Sequence, residues 1–143
     1  MKKYSLGIDI GSTTVKIAIL DDEYNILFSD YERHFANIQS TLKGLVDKAI
    51  GLLGDINVST VITGSGGLTL AKHLNSKFVQ EVVAVSTSLS HYAPQCDVAI
   101  ELGGEDAKII YFTNGIEQRM NGICAGPRWP FPPCSPGTRP APR

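Results

Sequence analysis

The 143-residue sequence has little cysteine, little net charge and no long hydrophobic run, and each shortage excludes a class of protein. Its three cysteines, Cys96, Cys124 and Cys134, form no Cys-x-x-Cys pair, which argues against a zinc knuckle and a secreted disulfide framework. A net charge of −1 gives no reason to expect nucleic acid as a partner. No apolar run approaches the roughly 20 residues that span a bilayer, and no signal-peptide segment opens the chain. We therefore expect a cytoplasmic protein without a membrane partner.

The dipeptide Gly-Lys is also absent, which excludes a P-loop, since that motif needs Gly-Lys followed by Ser or Thr. A dinucleotide fingerprint is present only in broken form. Residues 63–67 (Thr-Gly-Ser-Gly-Gly) follow an apolar strand, but Thr69 stands where the third glycine is needed. We interpret this segment as a tight turn from a strand into a helix.

One short design occurs twice: an apolar strand, an acidic residue, a turn of glycine with small polar or acidic residues, and another apolar strand. The copies span residues 6–20 and 98–112. Glycine lets backbone N–H groups come close to an anion, while the flanking strands hold those groups in place. Two such turns facing each other would hold a nucleotide phosphate.

The first copy contains the groups that phosphate and metal need. Asp9 ends the first strand, where a carboxylate is suited to hold hydrated Mg²⁺ against phosphates. The following turn supplies glycine and hydroxyl donors: Gly11, Ser12, Thr13 and Thr14. A plain hairpin remains the alternative for this copy alone, because such turns are common without a ligand.

Hydrophobic patterning predicts an antiparallel meander of three strands, at 4–10, 15–20 and 26–31. A helix is predicted from the N-cap Asn37 to Gly54, because apolar residues recur there at helical spacing. Further elements are predicted at 58–63 (strand), 68–74 (helix), 78–79 (strand), 82–92 (helix) and 97–102 (strand). The order indicates one complete α/β lobe and the start of another. The three histidines, His34, His73 and His91, are interpreted as ordinary surface or edge residues.

The composition changes abruptly after Gly126. The last 17 residues hold seven of the eight prolines, three of the five arginines and no acidic residue. Such a segment cannot form a helix or a central strand. We expect 127–143 to be disordered or non-native, for example the product of a shifted reading frame.

Five segments together resemble the acyl-CoA dehydratase activase family. These BadF/BadG/BcrA/BcrD-type ATPases activate 2-hydroxyacyl-CoA dehydratases and are related to the ATPase subunits of benzoyl-CoA reductase. The segments are 7–16, 63–66, 80–82, 101–108 and 120–126, in the family's order. The segment 101–108, followed by 121–126, separates this family from sugar kinases and actin-like proteins that share the fold.

The resemblance implies an α/β, actin-like (ribonuclease-H-like) ATPase with a mixed sheet. The first lobe would span 1–95, and the start of a second lobe, with its first hairpin, would span 96–126, before the tail at 127–143. It also implies ATP and Mg²⁺ in the cleft, and a [4Fe–4S] cluster shared by the subunits of a homodimer. ATP would drive transfer of the cluster's electron to a 2-hydroxyacyl-CoA dehydratase-type partner.

The family's functional residues can be carried onto this chain by position. Asp9 would organise Mg²⁺ and act catalytically with Glu105 and Asp106, and Glu101 is a further candidate for positioning metal or water. Cys124 would be a cluster ligand. The phosphate-binding residues would be Gly11, Ser12, Thr13, Thr14 and Lys16 on the first turn, with Gly103, Gly104 and Asp106 on the opposing turn.

The sequence departs from the family after Gly126, where the family continues with Gly-Thr-Gly into a helix. A [4Fe–4S] cluster needs four thiolates, and a dimer of this chain would supply Cys124 only twice. We therefore expect a truncated activase whose activity and cluster are in doubt. The alternatives are a small-molecule kinase of the same superfold and a non-catalytic nucleotide-binding module.

Overall fold

A computed structural model describes residues 3–103, 107–112 and 117–121 of the chain. These residues form eight strands and three helices. In chain order they are β1 (Tyr4–Ile10), β2 (Thr14–Leu20), β3 (Ile26–Arg33), α1 (Ile38–Leu53), β4 (Val58–Thr63), α2 (Gly67–His73), β5 (Lys77–Phe78), α3 (Glu81–Tyr92), β6 (Val98–Leu102), β7 (Ala107–Tyr111) and β8 (Glu117–Asn121).

The first sheet is mixed and has the strand order β3-β2-β1-β4-β5. β1, β2 and β3 pair antiparallel, which confirms the predicted meander, while β4 pairs parallel to both β1 and β5. The predicted N-cap is also confirmed, because Asn37 Oδ1 accepts a hydrogen bond from the Ser40 N–H at 3.2 Å. The side-chain cap fixes the first residue of α1.

The hydrophobic core lies between this sheet and helices α1 and α2. Its buried members are Ile8, Ile10, Val15, Ile17, Ile19, Leu45, Ala49, Ile62 and Ala71. Successive side chains of a strand point to opposite faces, so the buried positions of β1 and β2 define the core face. Asp9 and Lys16 alternate with those positions and lie on the opposite face of the sheet.

The second sheet is antiparallel, with the order β6-β7-β8. β6 and β7 form the predicted second hairpin, and β8 is a strand that the sequence patterning did not predict. The tail at 127–143 lies outside the described residues, and the division into lobes stays a prediction. No helix in the described part of the chain is both long and apolar enough to cross a membrane.

Candidate functional site

A cleft of about 190 Å³ lies where the β1–β2 turn meets the β6–β7 hairpin. Its lining comes from both copies of the repeated design, from the turn after β4 and from the start of α3. The lining residues are Asp9, Gly11, Ser12, Thr13, Thr14, Lys16, Ser65, Glu81, Glu101, Gly103 and Lys108. The fold therefore brings the two copies of the repeated design, which are far apart in sequence, to one cleft.

The residues of the β1–β2 turn that line this cleft include backbone donors. The Gly11 N–H donates to Thr14 O at 2.9 Å and closes the turn. Within the described ranges, the amide nitrogens of Ser12 and Thr13 donate no hydrogen bond, and both residues are exposed. Free N–H groups on a tight turn are suited to bind an anion.

Asp9 and Lys16 form an ion pair that lines the cleft beside this turn. They are paired across β1 and β2, and Lys16 Nζ lies 2.6 Å from Asp9 Oδ2. The Asp9 side chain is 28% exposed and that of Lys16 is 51% exposed, so both groups can reach a ligand. An ion pair this open is weak, and each partner can exchange the other for a phosphate or a metal ion.

The turn after β4 packs against the end of β1. Gly64 has φ +93°, and a Cβ there would lie 2.4 Å from Asp9 Oδ1. The Gly66 N–H donates to Ile10 O at 2.9 Å. The interpretation of 63–67 as a tight turn from a strand into a helix is confirmed by the positions of β4 and α2. The turn also contributes Ser65 to the cleft.

Thr63 adds a second polar group next to Asp9. It pairs with Asp9 in the parallel β1–β4 register. Its Oγ1 is buried and has no hydrogen-bond partner among the residues that the structure describes. A buried hydroxyl without a partner costs free energy, so its position on the strand beside Asp9 fits a site that receives a polar ligand or a hydrated ion.

On the opposite side of the cleft, Lys108 joins the second sheet to helix α3. Its side chain is 10% exposed and Nζ donates to Glu81 Oε2 at the start of α3. Glu101, its cross-strand partner on β6, has Oε2 3.8 Å from the same Nζ. The two carboxylates and the ammonium group hold α3 and the β6–β7 hairpin together on this side of the cleft.

The charge of the described lining is three carboxylates, Asp9, Glu81 and Glu101, against two ammonium groups, Lys16 and Lys108. The described lining thus has a formal net charge of −1. A nucleotide polyphosphate would be repelled by such a lining unless a cation accompanied it. The residues fit Mg²⁺ with a nucleotide, because Asp9 supplies an oxygen ligand and the turn supplies phosphate donors.

The interpretation of His34 as a surface residue is wrong, although the residue directly follows β3, an edge strand of the first sheet. Only 9% of His34 is exposed, and its ring contacts the carbonyl of Gly11 in the β1–β2 turn. His73 and His91 are exposed, as expected. The burial of His34 was missed because a single histidine at the end of a strand belongs to no sequence pattern.

Comparison with known proteins assigns the family. The model described as "BadF/BadG/BcrA/BcrD ATPase family" matches residues 6–128. The chain belongs to this family. The resemblance seen in the five sequence segments is thereby confirmed.

Three relatives illustrate the family. The activator of lactoyl-CoA dehydratase from Anaerotignum propionicum is 32% identical over 85% of this chain and 48% of its own length. The crystal structure of (R)-2-hydroxyglutaryl-CoA dehydratase component A from Acidaminococcus fermentans has a TM-score of 0.73 at 26% identity, covering 86% of this chain and 49% of that one. The activator of 2-hydroxyisocaproyl-CoA dehydratase from Clostridium difficile, with bound ADPNP, has a TM-score of 0.71 at 26% identity, covering 85% and 47%.

The fold of this BadF/BadG/BcrA/BcrD-type chain is the actin-like ATPase fold, with a mixed sheet and covering helices, as expected. The chain spans about half the length of the curated relatives it matches. The activity, substrates and partners of the longer proteins therefore do not transfer directly.

The structure brings together most of the residues that the sequence singled out. The residues placed at the cleft are Asp9, Gly11, Ser12, Thr13, Thr14, Lys16, Glu101 and Gly103. The others, Gly104, Glu105, Asp106 and Cys124, lie outside the described residues. Ser65, Glu81 and Lys108 also line the cleft and were not singled out, although each lies in a segment that carries the family resemblance.

The described residues do not test the expected [4Fe–4S] cluster. They contain no group of three or more histidine, cysteine or acidic residues that could hold a metal ion. Their cysteine, Cys96, is exposed. The cluster remains a prediction from the family resemblance.

Proposed function

We propose that the cleft binds ATP with Mg²⁺, and that the protein acts as an ATP-dependent activator of a CoA-substrate dehydratase. The observation that carries the proposal is the meeting of the Gly11–Thr14 turn, the Asp9–Lys16 pair and Gly103 at one cleft. Family membership supports it, since relatives are named as dehydratase activators and one was crystallised with ADPNP.

In this proposal the β1–β2 hairpin binds the phosphates. The N–H groups of Ser12 and Thr13 would donate to phosphate oxygens, and the hydroxyls on the turn would add further donors. Lys16 Nζ, now 2.6 Å from Asp9 Oδ2, would move its contact to a phosphate oxygen. That exchange would leave the Asp9 carboxylate free to hold Mg²⁺.

Mg²⁺ bound at Asp9 would neutralise phosphate charge and favour attack of water on the terminal phosphate. Residues of the chain are proposed to bind the phosphates and to position the metal ion and the water. Gly103 brings the second turn to the cleft, and Gly104 and Asp106 are proposed to complete it. Glu101 and Glu105 are proposed to position metal or water, with Asp9, Glu105 and Asp106 as the catalytic set.

The finer part of the proposal is electron transfer from a [4Fe–4S] cluster to the dehydratase. Cys124 is the proposed ligand from each subunit, and the cluster is proposed to be shared between the two subunits of a cytoplasmic homodimer. The support for this part is the family resemblance. The proposed partner is a dehydratase of the kind that the relatives are named for.

The test is anaerobic purification, reconstitution with iron and sulfide, and measurement of ATP hydrolysis and of activation of a 2-hydroxyacyl-CoA dehydratase. Wild-type hydrolysis and activation, both lost in Asp9→Asn, would support the proposal. ATP consumption that rises on adding a sugar or acid would favour a kinase. Nucleotide binding without turnover would favour a non-catalytic binding module.

A further inference from the structure

We propose that His34 is a positioning residue for the β1–β2 turn. Its imidazole holds the Gly11–Ser12 peptide so that the Ser12 N–H faces the cleft. The inference rests on the proposed function for its ligand, a nucleotide phosphate, but its geometry stands independently.

Among the described residues His34 makes four hydrogen bonds, one of which is accepted by its carbonyl oxygen from the Asn37 N–H at 2.6 Å. Nε2 lies 3.2 Å from Gly11 O, and Nδ1 lies 3.1 Å from the backbone nitrogen of Ala36. The backbone N–H of His34 donates to Thr13 O at 3.1 Å. Two carbonyl oxygens of the turn, those of Gly11 and Thr13, therefore accept hydrogen bonds from one buried residue that follows β3.

These partners determine which tautomer of the ring fits the contacts. The Ala36 N–H can only donate, so Nδ1 must present a lone pair. Gly11 O can only accept, so Nε2 must carry the proton. The contacts of His34 thus select the Nε2–H tautomer.

The segment after His34 adopts an unusual backbone to make this arrangement. Phe35 has φ +43° and Ala36 has φ +66°, both in the left-handed region that non-glycine residues rarely adopt. The Phe35 side chain is 84% exposed, so its burial does not offset that strain. The bonds made by His34 provide a reason for the strained conformation, which leads directly into the N-cap of α1.

The consequence for the turn follows from the planarity of the peptide bond. In a trans peptide the C=O and the next N–H point in opposite directions. When Nε2–H of His34 holds Gly11 O away from the cleft, the Ser12 N–H points the other way. A flipped peptide would instead present a carbonyl oxygen, which repels phosphate.

Substitutions separate the two ring contacts. His34→Gln keeps an amide donor near the position of Nε2, His34→Asn keeps a polar atom only near Nδ1, and His34→Ala removes both. His73→Gln is the matched control, because His73 is exposed at the end of α2. The readouts are Mg·ADPNP affinity by calorimetry, unfolding in urea, side-chain ¹⁵N shifts of His34, and hydrogen exchange of the Gly11 amide, which closes the turn on Thr14 O.

We expect His34→Ala and His34→Asn to bind Mg·ADPNP about 5- to 10-fold more weakly, the effect of about one lost hydrogen bond. His34→Gln should stay within about 2-fold of wild type, since it keeps the Gly11 contact. The ¹⁵N shifts of the wild type should report a protonated Nε2 and an unprotonated Nδ1. Wild-type affinity in a folded His34→Ala variant, or a protonated Nδ1 in the neutral ring, would overturn the inference.

Failure of the proposed function gives a different result. If the wild type binds no nucleotide, the exchange data decide alone. Faster exchange of the Gly11 amide in folded His34→Ala or His34→Asn, with wild-type exchange in His73→Gln, would support the positioning role. Unchanged exchange in all variants would refute it.

Discussion

Gly64 lies so close to Asp9 that a Cβ on residue 64 would be 2.4 Å from Asp9 Oδ1 and 2.3 Å from Ile10 O. Gly64 also has φ +93°. The backbone of the turn after β4 therefore packs against the Asp9 carboxylate and limits the positions that this carboxylate can take. A carboxylate confined in this way is already oriented when a metal ion and a nucleotide arrive.

Gly64→Ala should lower the free energy of unfolding by about 2–3 kcal/mol, through left-handed strain and overpacking together. It should also weaken Mg·nucleotide affinity more than about 10-fold, because the added methyl displaces the carboxylate. Gly54→Ala is the matched control: Gly54 has φ +76°, but a Cβ added there would meet nothing within 4 Å. The control should lose stability in urea but keep wild-type affinity in calorimetry. Equal affinity in both variants would contradict this role for Gly64.

Asp9 and Lys16 should contribute differently to nucleotide binding. Asp9→Asn should abolish the gain in affinity that Mg²⁺ gives, because the metal loses its anionic ligand. Lys16→Met should weaken binding by about 10-fold both with and without Mg²⁺, because Nζ is the group proposed to contact phosphate. Neither change should cost more than about 1 kcal/mol of stability, since the pair is partly exposed. Calorimetry of each variant at zero and saturating Mg²⁺ tests this, and a full Mg²⁺ effect in Asp9→Asn would refute it.

Much of the first sheet and of α1 was predictable from sequence because the signals are local. Alternation in β1 and β2 and the capping side chain of Asn37 act over a few residues. β8 was missed because Glu-Gln-Arg-Met-Asn has no apolar alternation and forms a strand through its pairing with β7. The contacts of His34 depend on a loop more than 20 residues away in sequence, which no local pattern encodes.

Lys108 should be important for stability because its charge is nearly buried between two acidic side chains. Lys108→Met would leave Glu81 and Glu101 without the ammonium group that now lies between them. We expect a loss of about 2–3 kcal/mol, below the range for fully buried pairs because both carboxylates keep some solvent contact. Lys43→Met is the control, since its pair with Asp47 is largely exposed, and it should change stability by less than about 0.5 kcal/mol. Equal urea midpoints for the two variants would contradict the assignment.

The ion pairs between α1 and β3 should make a small, pH-dependent contribution. Hydrogen bonding to Lys48 holds the pKa of Asp30 below its usual value of 3.8, and hydrogen bonding to Glu32 and Asp30 raises the pKa of Lys48 above 10.5. The contribution of Asp30 is therefore present above pH 3.8 and lost as the pH falls through its folded pKa. That of Lys48 is complete below pH 10.5 and lost only at higher pH.

The stability difference between wild type and Lys48→Met should accordingly stay constant between about pH 5 and 9 and shrink in acid. Urea unfolding of both proteins between pH 3 and 7 measures it. A difference that grows as the pH falls would show that the sign is wrong.

Nucleotide binding at the cleft is tested most directly by calorimetric titration of Mg·ADPNP into the wild-type chain, repeated without Mg²⁺ and with Asp9→Asn. We expect saturable binding of one nucleotide per chain that Mg²⁺ strengthens in the wild type but not in Asp9→Asn. Absence of binding by the folded wild-type chain, or binding of equal strength without Mg²⁺ and in Asp9→Asn, would contradict the proposed role of the cleft.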